Sequence, residues 1–347
     1  DEMKKLLTVA LLALAQGAAA QTISLSGAGS TFAAPLYTKM FAEYKTLKGV
    51  EVNYQGIGSG AGKKQITAQT IDFAGTDAPM TDAEEKAAPG KIVHIPMAIS
   101  AVVPIYNLPG VTAQLKFDGQ LLSDIYRARV TKWNDPEVGK LNPGVNLPNL
   151  PITVVHRSDG SGTTSIWVDF LAKTSPDWAK DVSTGAQQTV NWPTGLGGQG
   201  NAGVAGLVKQ TPGAIGYSEI TYANQNKLLF GTVKNASGKF ISGGDFKAIA
   251  AAAASKPLPG DTRVSITNAG GNGYPVAGFT WVLLYKDQKY GNRSEAQAKA
   301  LVNLVYWMTH DGQKYAQPLD YGPIPEVAQT RAEALIAGIT YGGKKLR

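Results

Sequence analysis

The chain has 347 residues, 43% of them hydrophobic and 17% charged, which excludes a disordered chain and a small disulfide scaffold. Its length, about twice that of a usual domain, predicts two domains; 40 glycines and 19 prolines predict many turns, with no collagen period. Cysteine is absent and the formal net charge is +7, so disulfides, thiol nucleophiles, thiolate metal sites and thiol redox chemistry are excluded.

In chain order, the first twenty residues follow the plan of a secretory signal. Lys4 and Lys5 precede an apolar run over 6–15, and Gly17, Ala18, Ala19 and Ala20 follow. Cleavage is expected between Ala20 and Gln21. The run is short for a membrane span, and the bland alternative is an uncleaved amphipathic anchor. Asp1 and Glu2 balance Lys4 and Lys5, so the expected mature chain keeps its +7. That mature chain is expected to be exported and soluble.

No repeat of fixed period follows. Short apolar strands alternate with Gly-rich turns and helices, the pattern of an α/β fold. A strand over 23–26 turns through Gly27-Ala28-Gly29-Ser30-Thr31 into a helix over 33–47, where Met40, Phe41 and Tyr44 recur at helical spacing. A strand over 51–56 ends in Ile57-Gly58-Ser59-Gly60-Ala61-Gly62, and a helix over 63–69 follows. The next strand, 73–76, meets Asp77-Ala78-Pro79. Residues 92–96 and 101–106 read as two strands, because His94, Pro96 and Pro104 interrupt the apolar run. A helix over 122–127 leads to Lys132-Trp133-Asn134, and 142–151 is a Pro- and Asn-rich connector. A strand over 152–156 runs into Arg157-Ser158-Asp159-Gly160-Ser161-Gly162-Thr163-Thr164, with a helix over 165–172. A strand over 214–217, an Ala-rich helix over 246–254, a strand over 279–285 and helices over 294–310 and 325–337 complete the chain.

Three segments share one plan of strand, Gly/Ser/Thr loop and helix: residues 27–32, 56–62 and 157–164. Each offers free backbone N–H groups and hydroxyls at a helix N-terminus, where the macrodipole adds about half a positive charge. Any one such loop can be plain N-capping. Three in one chain, the third with an arginine that can grip an oxyanion bidentately, point to anion binding. Other motifs fit poorly. Gly62-Lys63 is followed by Lys64, which breaks a phosphate-loop signature, and no G-x-S-x-G is present. Gly195-Leu196-Gly197-Gly198-Gln199-Gly200 matches G-x-G-x-x-G but follows Trp192-Pro193-Thr194, and reads as a loop. His94, His156 and His310 share no metal-ligand spacing. The basic tail Lys344-Lys345-Leu346-Arg347 reads as a solvated end, and no nucleic-acid partner is expected.

The combined motifs resemble the periplasmic phosphate-binding proteins of high-affinity phosphate ABC transporters. They are Gly27-Ala28-Gly29-Ser30-Thr31-Phe32, Asn53-Tyr54-Gln55-Gly56-Ile57-Gly58-Ser59, Asp72-Phe73-Ala74-Gly75-Thr76-Asp77-Ala78-Pro79, Arg157-Ser158-Asp159-Gly160-Ser161-Gly162-Thr163 and Pro212-Gly213-Ala214-Ile215-Gly216-Tyr217. Trp133-Asn134-Asp135, Leu141-Asn142-Pro143-Gly144 and Leu319-Asp320-Tyr321 also fit, so the likeness spans nearly the whole mature chain. It implies phosphate ligands Thr31, Phe32 (through its N–H), Ser59, Asp77, Arg157, Asp159 (which orients the arginine), Ser161, Gly162 and Thr163. It implies no catalytic residue, metal or cofactor. Ala33 stands where a proline is usual, which predicts a slightly looser first helical turn.

The same resemblance implies a two-lobed type II periplasmic binding protein. Each lobe is a mixed sheet flanked by helices, and two crossover strands form the hinge. Lobe I takes residues 21–103 and 280–347, lobe II takes 104–279, with crossings expected near 103–105 and 277–281. The implied partners are inorganic phosphate and the permease subunits of an inner-membrane importer, and the implied protein is a monomer in the periplasm. Asp77 also has a bland reading, as a turn residue before Pro79 or a helix cap. Two rival functions are weighed against phosphate delivery: a secreted phosphatase, and a receptor for sulfate or molybdate.

Overall fold

The computed structural model describes residues 22–347. The expected leader, 1–20, and its cleavage site lie outside the described residues. In chain order the strands are β1 (Ser24–Gly29), β2 (Glu51–Gly56), β3 (Phe73–Thr76), β4 (Ile92–Tyr106), β5 (Lys116–Phe117), β6 (Thr153–Arg157) and β7 (Leu196–Gly198). They continue with β8 (Ala214–Glu219), β9 (Leu229–Phe230), β10 (Thr232–Lys234), β11 (Phe240–Ile241), β12 (Ala277–Tyr285), β13 (Thr340–Tyr341) and β14 (Lys344–Lys345). The helices are α1 (Ala34–Lys48), α2 (Ser59–Thr67), α3 (Asp82–Ala87), α4 (Gly119–Tyr126), α5 (Pro136–Leu141) and α6 (Gly162–Thr174). After them come α7 (Pro176–Asp181), α8 (Gly200–Gln210), α9 (Ile220–Asn226), α10 (Phe246–Ala254), α11 (Glu295–Thr309) and α12 (Glu326–Ala337).

Among the described residues, nine strands make one sheet, in the order β2-β1-β3-β12-β4-β8-β6-β7, with β9 also against β4. Its spine is β4, fifteen residues long and buried throughout. Residues 92–101 of β4 pair antiparallel with β12, and residues 102–106 pair antiparallel with β8. Outside this centre the strands run parallel: β2-β1-β3 on one side and β8-β6-β7 on the other. The fold is therefore mixed α/β with two halves that share β4. Buried strands read as near-continuous apolar runs, and β4 is one.

β4 corrects the expectation of two strands broken by a turn. Pro96 lies where the register slips between Thr280 and Trp281, which pair with Ala98 and Pro96, so the bulge absorbs the proline. Pro104 lies opposite Tyr217, and its carbonyl accepts the Gly231 N–H.

Residues 195–200 are a second correction. They are not a plain loop: β7 pairs parallel with β6, and α8 starts at Gly200. The strand is three residues long and two of them are glycine, so its sequence carries no strand propensity.

α2 and α6 start earlier than expected, at Ser59 and Gly162. Glycine lowers helix propensity, yet tertiary contact requires it here. A Cβ on Gly62 would lie 2.6 Å from the Gly29 Cα and 2.7 Å from the Ala28 carbonyl oxygen. α2 thus lies directly on the end of β1. Gly62→Ala is expected to cost about 1–3 kcal/mol by overpacking against immobile backbone. Urea unfolding checks this, and an unchanged midpoint and slope would contradict it.

Candidate functional site

In open α/β sheets, ligands bind beyond the carboxyl ends of parallel strands. Here six parallel strands, three from each half, deliver polar groups to one place. β1 leads to Ser30, Thr31 and Phe32, β2 to Ser59, and β3 to Asp77. From the other half, β6 leads to Arg157, Asp159 and Ser161, β7 to Asn201, and β8 ends on Glu219. Ser59, Asp77, Arg157, Ser161, Thr163, Asn201 and Glu219 are all buried.

Asp77 lies at the centre. Its Oδ1 accepts from Ser30 Oγ at 2.6 Å and Thr280 Oγ1 at 2.7 Å. Its Oδ2 accepts from Ser59 Oγ at 3.3 Å. Burial pushes its pKa from 3.8 up to about 6; the Ser30 and Thr280 hydroxyls, the Arg157 charge and the Ser59 hydroxyl oppose the rise. The carboxylate is therefore predominantly ionised at neutral pH. Among the described residues, no cation forms an ion pair with it.

Arg157 is committed elsewhere. Its Nε donates to Asp159 Oδ1 at 2.7 Å, and its Nη2 donates to Asp159 Oδ2, the bidentate fork that suits a guanidinium. Nη1 donates to Thr163 Oγ1 at 3.3 Å. Burial works against the Asp159 charge, but the Arg157 fork and the Gly200 N–H, 3.0 Å away, outweigh it and hold this pKa below the usual carboxylate range.

Helix starts supply donors. The N–H groups of Thr31, Phe32, Ser59, Gly162 and Thr163 take no acceptor among the described residues. Ser161 caps α6 by accepting from the Thr164 N–H at 3.0 Å, which leaves its hydroxyl hydrogen free to donate. The Ala33 N–H donates to Ser30 Oγ at 3.0 Å, a bond that proline cannot make.

The two halves touch here. The Gly60 N–H donates to the Gly160 carbonyl at 2.9 Å. A Cβ on Gly162 would lie 2.6 Å from both Asp77 Oδ2 and Ser59 Oγ, and one on Gly58 (φ 92°) would lie 2.3 Å from Asp159 Oδ2. Only glycine permits either approach. Tyr222 donates to the Thr31 carbonyl across the same junction, and Tyr321 donates to the Phe32 carbonyl at 2.6 Å.

All nine residues singled out from the sequence thus fall in one linked cluster. Phe32 contributes through its backbone, with its ring buried edge-on against Tyr321. The sequence reading missed Ser30, Thr280, Asn201 and Glu219. Asn201 follows the glycine-rich stretch 195–200, a fourth strand–loop–helix unit whose G-x-G-x-x-G spacing is the signal that points to it. Thr280 carried no signal, being a lone hydroxyl in an apolar strand. Among the described residues, no group of three or more His, Cys, Asp or Glu could hold a metal, and no helix is long and apolar enough to cross a membrane. His156 stacks on Trp192 at 4.8 Å, with Nδ1 3.0 Å from the Arg157 carbonyl, and burial lowers its pKa.

Because folding raises the Asp77 pKa, the folded state holds that proton more tightly than the unfolded chain does. This contribution to stability is complete below pH 3.8 and is lost as pH rises through about 6. A shift of about two units corresponds to roughly 2–3 kcal/mol. Ligand-free Asp77→Asn is therefore expected to gain stability over wild type at pH 8 and much less at pH 4. Urea unfolding at both pH values checks this, and an equal difference at both would contradict it.

Residues 15–311 match the PBP superfamily domain. The chain is 40% identical to the phosphate-binding protein PstS of Pasteurella multocida, over 95% of each chain. It is also 40% identical to PstS of Haemophilus influenzae, over 88% of this chain and 90% of that one. In fold it is similar to PfluDING, a high affinity periplasmic phosphate-binding protein solved with phosphate (TM-score 0.75, 20% identity, 92% of this chain and 97% of that one). Identity at that level speaks for the architecture, and identity to the PstS proteins speaks for kinship. The chain belongs to the PstS phosphate-binding proteins of the PBP superfamily.

Proposed function

We propose that this chain is an exported receptor that binds inorganic phosphate and delivers it to the permease subunits of an inner-membrane ABC importer. One observation carries the reading. One carboxylate with no ion-pair partner among the described residues, Asp77, is buried amid hydroxyls and open N–H groups drawn from both halves of the sheet.

Phosphate at neutral pH keeps a proton that such a carboxylate can accept. Sulfate has none and would face Asp77 acceptor to acceptor, with like-charge repulsion and an unpaired buried group. A site with this property can discriminate by about 10⁴–10⁵. In this reading Asp77 takes the P–OH, Arg157 is oriented by Asp159, Thr31, Ser161 and Thr163 donate hydroxyls, and Ser59 turns its hydroxyl from Asp77 to the anion. The N–H groups of Phe32 and Gly162 complete the ring. Lobe I is residues 21–103 with 280–347, and lobe II is 104–279. The change of β4's partner between residues 101 and 102 supports this division. The leader over 1–20 carries the chain to the periplasm.

Transport receptors of this family bind and release without turnover. The phosphatase reading is further weakened by His156, the one histidine adjoining the anion loops, which is engaged in stacking. Hydrogen bonds to charged groups contribute roughly 1.5–3 kcal/mol each. About ten of them would pass the ceiling of non-covalent affinity, so desolvation and closure must offset most of the sum.

Calorimetry on protein stripped of bound anion tests this reading. Phosphate is expected to bind with a Kd at or below about 1 μM; millimolar affinity, or tighter binding of sulfate or molybdate, would contradict it. Phosphatase turnover that survives ion exchange would favour the enzyme. Asp77→Asn can donate to sulfate, so its sulfate exclusion should weaken. Protonation does the same to the native residue, and sulfate should compete better as pH falls through about 6. Sulfate exclusion unchanged in the variant and at pH 5 would refute this role of Asp77.

A further inference from the structure

Asn201 is buried at the second position of α8, outside the set that the family resemblance selects. Its Oδ1 accepts the Glu219 backbone N–H at 2.9 Å. That group can only donate, so the amide orientation is settled and Nδ2 occupies the other end. Nδ2 donates to Thr31 Oγ1 at 2.9 Å and to Thr163 Oγ1 at 3.0 Å, one threonine from each half of the sheet. The Asn201 backbone N–H also donates to Thr31 Oγ1, at 3.1 Å. Thr163 Oγ1 has a second donor in Arg157 Nη1.

Each threonine oxygen therefore receives two N–H groups, which occupy both of its lone pairs. Only its hydroxyl hydrogen remains, and that hydrogen must go to an acceptor. We propose that Asn201 is the positioning residue that sets the Thr31 and Thr163 hydroxyls as proton donors toward the bound anion. This rests on the phosphate reading above. Preorganised donors need no reorientation when the anion arrives. The arrangement also couples binding to closure, because Asn201 and Thr31 stand in opposite halves. Its anchor is firm: Glu219, behind Asn201, accepts from Ser100 Oγ of β4 at 2.7 Å and from the Thr221 N–H and hydroxyl at 3.0 Å.

The test compares Asn201→Asp with Asn201→Ala by phosphate calorimetry at pH 8. Aspartate keeps the shape and the Glu219 bond but donates nothing, and it would draw both threonine protons away from the anion. Its phosphate Kd is expected to rise about 100-fold or more, beyond the rise for alanine, which leaves the hydroxyls free to turn. A merely structural Asn201 predicts the reverse order, since alanine loses the Glu219 bond and opens a cavity; that order would overturn the proposal. In a Thr163→Val background, the loss from Asn201→Asp should shrink markedly, whereas additive losses would assign the effect to charge alone and also overturn it. If the aspartate variant does not fold, as judged by circular dichroism, the cycle of Asn201→Ala with Thr163→Val replaces it, with non-additivity again expected and additivity contradictory. Wild type that binds no phosphate would refute the functional reading, and this inference with it. Wild-type binding with Asn201→Asp unaffected would refute this inference alone.

Discussion

A buried carboxylate with no cation paired to it among the described residues is the constraint on which the proposed site depends. Asp77 is held ionised by hydroxyls from Ser30, Thr280 and Ser59, against a burial penalty that lifts its pKa to about 6. The nearby guanidinium does not neutralise it, because Arg157 is forked onto Asp159. In the proposed reading, two carboxylates and one guanidinium therefore face the anion. Attraction must come from backbone N–H groups, hydroxyls and helix starts, which carry partial charge and fixed direction. Such donors read protonation as well as charge. The chain's net charge of +7 adds only a weak, unspecific pull on anions.

The sheet explains how these groups reach one point. β4 is shared by both halves, so three parallel strands on each side end at the same cleft. Each strand end opens a helix or a tight turn, and the glycines at 58 and 162 let the two sides approach to contact. No half carries a complete set: Asp77 and Ser59 stand on one side, Arg157 and Ser161 on the other. Asn201 joins them, since one amide touches a threonine from each side. Under the proposed function, binding and closure are a single event, as in hinge closure around a ligand.

Much of this was legible in the sequence, and the failures have physical causes. Residues 51–56, 73–76 and 246–254 were read with their observed bounds, because apolar periodicity and flanking turns agree there. The three anion loops stood out because glycine and hydroxyl residues cluster at strand-to-helix turns. β4 was split because proline normally ends a central strand, and a bulge that accommodates one leaves no mark in the sequence. The β7–α8 unit was passed over because a three-residue strand with two glycines has no pattern of its own. Thr280 and Glu219 act through a contact across 203 positions and through strand pairing, which no local motif encodes, and Ser30, although inside the first anion loop, acts on Asp77 47 positions away.

The most direct test of the account is a crystal structure of the phosphate complex at a resolution that shows hydrogen positions. The account predicts one phosphate oxygen bearing a proton directed at Asp77, with the remaining oxygens taking donors from both halves, the Thr31 and Thr163 hydroxyls among them. An anion held by donors from one half alone, or with no proton between it and Asp77, would contradict the account.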